Sequence, residues 1–336
     1  LQAGIAGQPI FAEAPDFRSA ALGESEGTTN TKEETMIVIT TPAGNIGRQV
    51  LENLLDSGEQ LRLVARDLAG IPADTRQHVE VIEGSHGDPA VVDRAFDGAD
   101  AVFWLVPPDP RADSVEAAYT GFTRPAAEAF TRHGVQRVVG VSALGRGTPW
   151  AAHAGYVTAS LAMDDLIAGT GVAYRALANP SFMDNIAGQA GAIKNQGMFF
   201  SPIDGDRKLP TVATRDIAAA ASRLLLDDSW SGAGEVPLLG PEDLSFNDMA
   251  QIISEVLGRP VRCQQITFEA YQDRFTGFGM SEAMAQGMTD MARAKNQGLD
   301  NAVARTPGNS TPTSFRQWCQ EVLKPAVLDQ AAATAS

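Results

Sequence analysis

Lysine is nearly missing from this chain. Its 336 residues hold five, Lys32, Lys194, Lys208, Lys295 and Lys324, and none falls between 32 and 194. Chemistry that needs a lysine amine within that stretch is excluded. Cysteine is scarcer still: Cys263 and Cys319 stand outside any C-x-x-C spacing. This argues for two reduced, buried thiols and a cytoplasmic compartment rather than a disulfide framework. The four histidines, His78, His86, His133 and His153, lack metal-ligand spacing, so no metal is expected. Positive charge is outweighed, 41 acids against 26 Lys and Arg, for a formal net charge of −15. That balance argues against a nucleic-acid partner. No run of about 18 apolar residues is present, so no membrane span is predicted.

What is present is enough apolar residue, 44% of the chain, for one large α/β domain with an appendage, or two domains. Residues 1–35 differ from the rest. They carry six acids against two bases, without the basic-then-apolar order of a signal peptide, and are expected to be a flexible extension without chemistry. The alanine-rich stretch 329–336 is expected to be a frayed tail.

The body begins with Met36 to Thr40, an apolar β-branched strand. A turn of small residues follows to Gly47, then a helical pattern with Ile46, Val50 and Leu54 on one face. Strand, glycine-bearing turn and helix point backbone N–H groups and a helix N-terminus at a phosphate. The turn reads Thr41-x-x-Gly44-x-x-Gly47, with Thr41 where the first glycine of a dinucleotide motif would stand. Gly44 would allow close approach to a pyrophosphate, and Gly47 would allow the helix to pack tightly on its strand.

Further strands are predicted at Leu61 to Ala65, Val79 to Ile82, Ala101 to Val106, Val138 to Val141, Val172 to Leu177 and Glu235 to Leu239. Helices lie between them at Pro89 to Phe96 with Asp88 as cap, Ser114 to His133 interrupted near Gly121 and Pro125, and Ser160 to Ala168. Alternating strands and helices imply a doubly wound parallel sheet, a Rossmann-type α/β domain over 36–180. A smaller α+β part, 181–328, is expected to cover a substrate, with some elements interleaved. Ligands of such sheets sit at the carboxyl ends of the strands. That rule selects the 41–47 turn with Thr41, Ala43, Gly44, Asn45, Ile46 and Gly47, then Arg66, Ser85 and His86, Val106, Pro107 and Pro108, Ser142, and Asn179, Pro180, Ser181 and Phe182. Arg66, 19 residues after Gly47, stands where an arginine would pair the 2′-phosphate of NADP, so NADP(H) is preferred over NAD(H). Ser245 to Asp248 has capping-box spacing ahead of a helix to about Leu257. Met280, Met284, Met288 and Met291 recur at helical spacing, as core or as a plastic pocket wall.

Ser142 and Tyr156 raise a catalytic question. A serine, a tyrosine and a lysine four residues on would form a proton-transfer triad, but the fourth position after Tyr156 is Ser160. Without a lysine to lower it, a phenol near pKa ~10 is a poor base. Tyr156 is better placed as a pocket wall or hydrogen-bond donor, and His153 is the other proton source within reach of sequence.

Together, ITTPAGNIG, LVARD, AVFWLVPP, VVGVSALG, ANPSFMDNI, LPTVATRDIAAAA and TPTSFRQWCQE resemble the NmrA-like branch of the atypical short-chain dehydrogenase/reductases, from about Met36 to Pro325. The resemblance implies an NAD(P)-binding Rossmann domain closed by a smaller C-terminal part. It places Asn185 and Phe182 on the nicotinamide and substrate side. The chain departs from the family's usual pattern at Thr41, at Ser85 (usually an acid) and at Asn179 (usually arginine). The implied activity is NAD(P)H-dependent reduction of a quinone-like or aromatic electrophile by direct hydride transfer, without the triad. The alternatives are a non-catalytic NADP(H)-sensing regulator and a biosynthetic enzyme without redox turnover. A small-molecule substrate is the expected partner, and a monomer or homodimer the expected assembly.

Overall fold

The computed structural model describes residues 35–329 and the backbone of residues 12–13. The expected extension and tail otherwise lie outside the described residues. Ala12–Glu13 (β1) pairs in parallel with a later strand at the sheet edge.

In chain order the first half runs Met36–Thr40 (β2), Asn45–Leu54 (α1), Gln60–Ala65 (β3), Ala73–Arg76 (α2), Glu80–Glu83 (β4), Pro89–Phe96 (α3) and Ala101–Trp104 (β5). It continues with Phe122–His133 (α4), Arg137–Ala143 (β6), Tyr156–Ala168 (α5) and Ala173–Asn179 (β7). The eight-stranded sheet has the order β1-β11-β7-β6-β5-β2-β3-β4, where β11 is Ala233–Pro237, and every pairing in it is parallel. This is the doubly wound sheet expected from the alternating pattern, reversing direction between β2 and β5.

Side-chain alternation divides the core. Ile37 and Ile39 of β2 join Val50 and Leu54 of α1 and Ile217, Ala221 and Leu225 of the later helix Thr214–Leu226 on one face. Val38 joins Trp104, Phe96 of α3, Phe130 of α4 and Ile167 of α5 on the other. Both faces are dry, which is why these strands read as near-continuous apolar runs. Full burial of such side chains contributes roughly 1.5–3 kcal/mol each.

Local signals account for the helix starts. Asp88 accepts from Ala90 N at 2.8 Å with Pro89 at the first helical position. The interruption expected near Gly121 is a π-turn, Ala117–Gly121, after which α4 runs unbroken. Pro125 lies inside the helix one turn past the π-turn, where it removes an N–H donor from a continuous ladder. Helix α5 begins at Tyr156, four residues earlier than predicted. Gly155 at φ +54° starts it, where a Cβ would lie 1.9 Å from Gly287 O.

The remainder contributes Ser181–Phe182 (β8), Asp184–Ala187 (α6), Ala190–Gln196 (α7), Met198–Ser201 (β9), Leu209–Val212 (β10) and Thr214–Leu226 (α8). After β11 come Asp243–Leu244 (β12), Phe246–Leu257 (α9), Arg262–Gln265 (β13), Phe268–Gly277 (α10) and Glu282–Asn296 (α11). The capping box ahead of α9 is formed, Asp248 N donating to Ser245 Oγ at 3.0 Å and Ser245 N to Asp248 Oδ2 at 2.9 Å. Met183, Phe199, Ile253, Phe315 and Trp318 centre a separate core for this part. Both cysteines are free, and burial pushes the Cys319 thiol up to about 12. Among the described residues no helix is long and apolar enough to cross a membrane.

Candidate active site

Strand β2 delivers the turn at residues 41–44 beside β5. The Thr40 hydroxyl donates to Phe103 O at 2.9 Å and accepts from Leu105 N at 3.1 Å, tying the two strands at the point of reversal. Thr41 follows at φ +52°, the one non-glycine residue with positive φ among those described. Its Oγ1 is buried without a hydrogen-bond partner. Gly44 N donates to Thr41 O at 2.9 Å, closing the turn. A Cβ on Gly47 would lie 2.1 Å from Thr41 O, so only glycine lets α1 come this close. Helix α1 opens at Gly44 with no side-chain cap and no acid in its first turn, leaving its first N–H groups for an anion.

The flanks are set by the neighbouring strands. Arg66, exposed at the end of β3, has no ion pair or hydrogen bond from its guanidinium among the described residues. The loop beyond it comes back to the turn, since a Cβ on Gly70 would lie 2.7 Å from the Ala43 Cβ. Ser85 is half-buried, its Oγ accepting from Gly87 N at 3.3 Å. Next to it, His86 is buried edge-on against Trp104 and Phe122, and its Nε2–H donates to Leu105 O at 2.9 Å. Burial, aided by the nearby Arg66 charge, pulls its pKa down to about 4, so the ring is neutral at pH 7. Val106 and Pro180 are buried and Pro107 half-buried beyond β5 and β7. At the end of β7, Asn179 donates to Ser142 O of the neighbouring β6 at 3.1 Å and to Leu177 O at 2.7 Å, its Oδ1 buried without a partner.

The three candidate proton-transfer residues do not converge. The Ser142 hydroxyl donates to Asp164 and lies 3.3 Å from Ser160 Oγ, so it is committed to α5. Tyr174 OH donates to Asp164 Oδ1 at 2.6 Å, and the Arg146 guanidinium lies 3.7 Å from Oδ2. Burial pushes the Asp164 carboxyl up to about 7, against the downward pull of the Ser142 and Tyr174 hydrogen bonds. His153 is exposed on the short 3₁₀ turn Ala151–His153. Tyr156 packs edge-on against Tyr119, and burial pushes its phenol up to about 12, which leaves it a donor and not a base at neutral pH.

A cavity of about 790 Å³ opens where β7 ends. Ser181 and Phe182 begin its lining and Asn185 continues it, so the substrate-side pair expected from sequence meets there. Aromatic Phe200, Tyr271, Phe275 and Phe278, with Met288 and Met291, form much of the rest. The methionine stripe therefore divides: Met284 is core and Met288 and Met291 are wall. Asp184, another wall residue, accepts from Asn45 Nδ2 at 2.8 Å and from Thr214 Oγ1 at 3.1 Å, linking the phosphate-type turn to the cavity. Sequence reasoning passed over Asp184 and helix α10, although Phe268, Tyr271, Phe275 and Phe278 carry a readable helical spacing. Among the described residues no cluster of three or more His, Cys, Asp or Glu could hold a metal.

A family profile described as NAD(P)H-binding matches residues 43–228, more than half of the chain. The chain belongs to the NAD(P)H-binding family. An NmrA-like family profile matches residues 169–318, bearing out the resemblance drawn from the motifs. Among similar proteins, an NAD(P)H azoreductase of Xenophilus azovorans is 27% identical, the match covering 76% of this chain and 86% of that protein. A (4-alkanoyl-5-oxo-2,5-dihydrofuran-3-yl)methyl phosphate reductase of Streptomyces griseus is 28% identical over 85% of this chain and 97% of its own. The structure of an Escherichia coli NADPH-dependent quinone oxidoreductase complexed with NADPH superimposes with a TM-score of 0.69. The two are 21% identical, covering 84% of this chain and 98% of that one. At that identity the likeness speaks for a shared fold. As an NAD(P)H-binding family member, the chain keeps its glycine turn at 44 and 47 while accepting Thr41.

Two outcomes follow from this geometry. Thr41→Gly removes a left-handed β-branched residue and is expected to raise unfolding free energy by ~1 kcal/mol in urea denaturation; a loss of stability would mean that the threonine side chain outweighs its strain. Asp164 is an acid raised from 3.8 to about 7, so its contribution to stability is fully present below pH 3.8 and is lost as pH rises through 7. Relative to Asp164→Asn, the native chain should therefore lose melting temperature between about pH 4 and 7 and level off above. Parallel curves for the two proteins would refute the assignment.

Proposed function

We propose that this chain is an NADPH-dependent reductase acting on electron-poor, quinone-like or aromatic acceptors by direct hydride transfer. The observation that carries the reading is the junction of an open, uncapped helix N-terminus with an aromatic cavity through the Asn45–Asp184 hydrogen bond. The partnerless Thr41 hydroxyl and the glycines at 44 and 47 fit a bound dinucleotide. In this reading Thr41, Ala43 and the N–H groups of Asn45, Ile46 and Gly47 hold the pyrophosphate. Arg66 pairs a 2′-phosphate, which favours NADPH over NADH. Val106, Pro107, Pro180 and Phe182 flank the nicotinamide end. When bound, the reduced nicotinamide supplies the hydride. The family names of the relatives, azoreductase and quinone oxidoreductase, support acceptors of this kind.

The chain's own part is to position the acceptor. Phe182, Phe200 and Tyr271 offer flat faces to a conjugated ring. Tyr271, pushed up to about 12 by burial, stays protonated. A conjugated acceptor spreads the negative charge that reduction creates, so it takes its proton from water. That makes the commitment of Ser142 to Asp164 and the exposure of His153 compatible with this reaction.

Stopped-flow and steady-state oxidation of NADPH with a panel of benzoquinones, naphthoquinones and azo compounds tests the proposal. Turnover with at least one class is expected. Arg66→Ala should raise KM for NADPH about 10- to 100-fold and leave KM for NADH within about threefold. Equal losses would remove the 2′-phosphate assignment. Tight NADPH binding without oxidation by any acceptor would overturn the reductase and leave the dinucleotide-sensing alternative.

A further inference from the structure

Three charged side chains line the cavity, Asp184, Arg274 and Lys295, and two of them are engaged. Asp184 accepts from Asn45 and Thr214. Lys295 Nζ donates to Asp300 Oδ2 at 2.5 Å, both groups buried. Arg274, in the last turn of α10, has neither ion pair nor hydrogen bond from its guanidinium among the described residues. Among the described residues no carboxylate forms an ion pair with it, although the chain carries 41 acids. Its Cζ instead lies over the Phe200 ring, 4.3 Å from the centroid.

Helix α10 adds to this. None of its ten residues is fully buried, and Tyr271, Arg274 and Phe275, with Phe278 just beyond, face the cavity. Phe278 is 80% exposed. Phe268 and Tyr271 pack the helix against Ile203, Leu209 and Ala292, and Arg274 and Phe275 are left along the cavity, one cation set among rings. A guanidinium resting on an aromatic face keeps its edge donors free and its plane fixed, which suits two parallel bonds to a flat or tetrahedral oxyanion. A role limited to the helix C-terminus would need only a positive charge.

Resting on the reductase reading for the reaction, we propose that Arg274 anchors an anionic group of the substrate. The acceptor is then a planar aromatic or quinonoid molecule bearing a carboxylate, sulfonate or phosphate. Its ring lies among Phe200, Tyr271 and Phe275, and its anionic group meets the guanidinium. Arg274 positions the acceptor and takes no part in hydride or proton transfer.

The test separates binding from turnover. Calorimetric titration of the full chain with naphthalene-2-sulfonate and with the uncharged naphthalene-2-sulfonamide should show the sulfonate bound at least about tenfold tighter. Arg274→Ala, and Arg274→Gln as a variant that keeps most of the stem, should erase that ratio and leave the sulfonamide within about threefold. In parallel, kcat/KM for 1,2-naphthoquinone-4-sulfonate with NADPH should fall about 10- to 100-fold through KM, with unsubstituted 1,2-naphthoquinone nearly unchanged. A sulfonate preference that survives both substitutions, or equal losses for charged and uncharged ligands, overturns the anchor. If neither quinone nor any acceptor of the wider panel oxidises NADPH yet sulfonate binding still depends on Arg274, the reductase reading falls and the anion site stands. If both quinones turn over without regard to Arg274, the anchor falls and the reductase stands.

Discussion

The Thr40 hydroxyl sits where the chain order of the sheet reverses, donating to Phe103 O of β5 and accepting from Leu105 N just beyond it. On either side of it the sheet is closed to water, by α1 and α8 on one face and by α3, α4 and α5 on the other. Unpaired polar groups are costly inside such layers. Chemistry is therefore confined to the strand ends, and the reversal opens a crevice at that edge. The lack of space for a Cβ at Gly47 belongs to the same constraint, because it lets α1 meet the turn closely enough to present its N–H groups there.

The second part of the chain is fastened to this edge at two places. Asp184 holds Asn45 of the turn and Thr214 at the start of α8. On the far side of the cavity, Ser281, which caps α11, donates from its N to Pro110 O and from its hydroxyl to Ala112 O in the loop beyond β5. The cavity walls are thus tied to both strands that bound the crevice. Helix α10, held between these ties, packs chiefly on α11 and on the rings it shares with the cavity.

What could be read from sequence was what depends on near neighbours. The β2–turn–α1 unit, the Asp88 cap and the Ser245–Asp248 box involve residues within a few positions of one another, and their spacing is the signal. The parallel sheet follows from alternation, and the resemblance of motifs extended it to a dinucleotide fold. Partners distant in sequence left no such trace. Ser142 reads as a strand-end hydroxyl, yet its partner Asp164 lies 22 residues on and turns it into a buried structural donor. His86 reads as a strand-end candidate beside Ser85, while Trp104 and Phe122 make it a neutral core ring. Nothing local in the sequence marks Arg274, because a guanidinium that lacks an acid leaves no pattern. The aromatic spacing through α10 was visible, but helical periodicity alone does not tell a wall from a core.

The scarcity of positive charge has a kinetic side. A phosphorylated dinucleotide approaches a molecule of formal charge −15, so distant acids repel it while a few local groups hold it once it arrives. At low ionic strength that repulsion reaches far and slows encounter; near physiological salt the Debye length shrinks to about 8 Å and hides the distant charges first. Added salt should thus speed association before it weakens the short-range contacts that hold the ligand. The rate profile for an anionic ligand then passes through a maximum in ionic strength, the reverse of the steady decline of a protein that steers its ligand in by attraction.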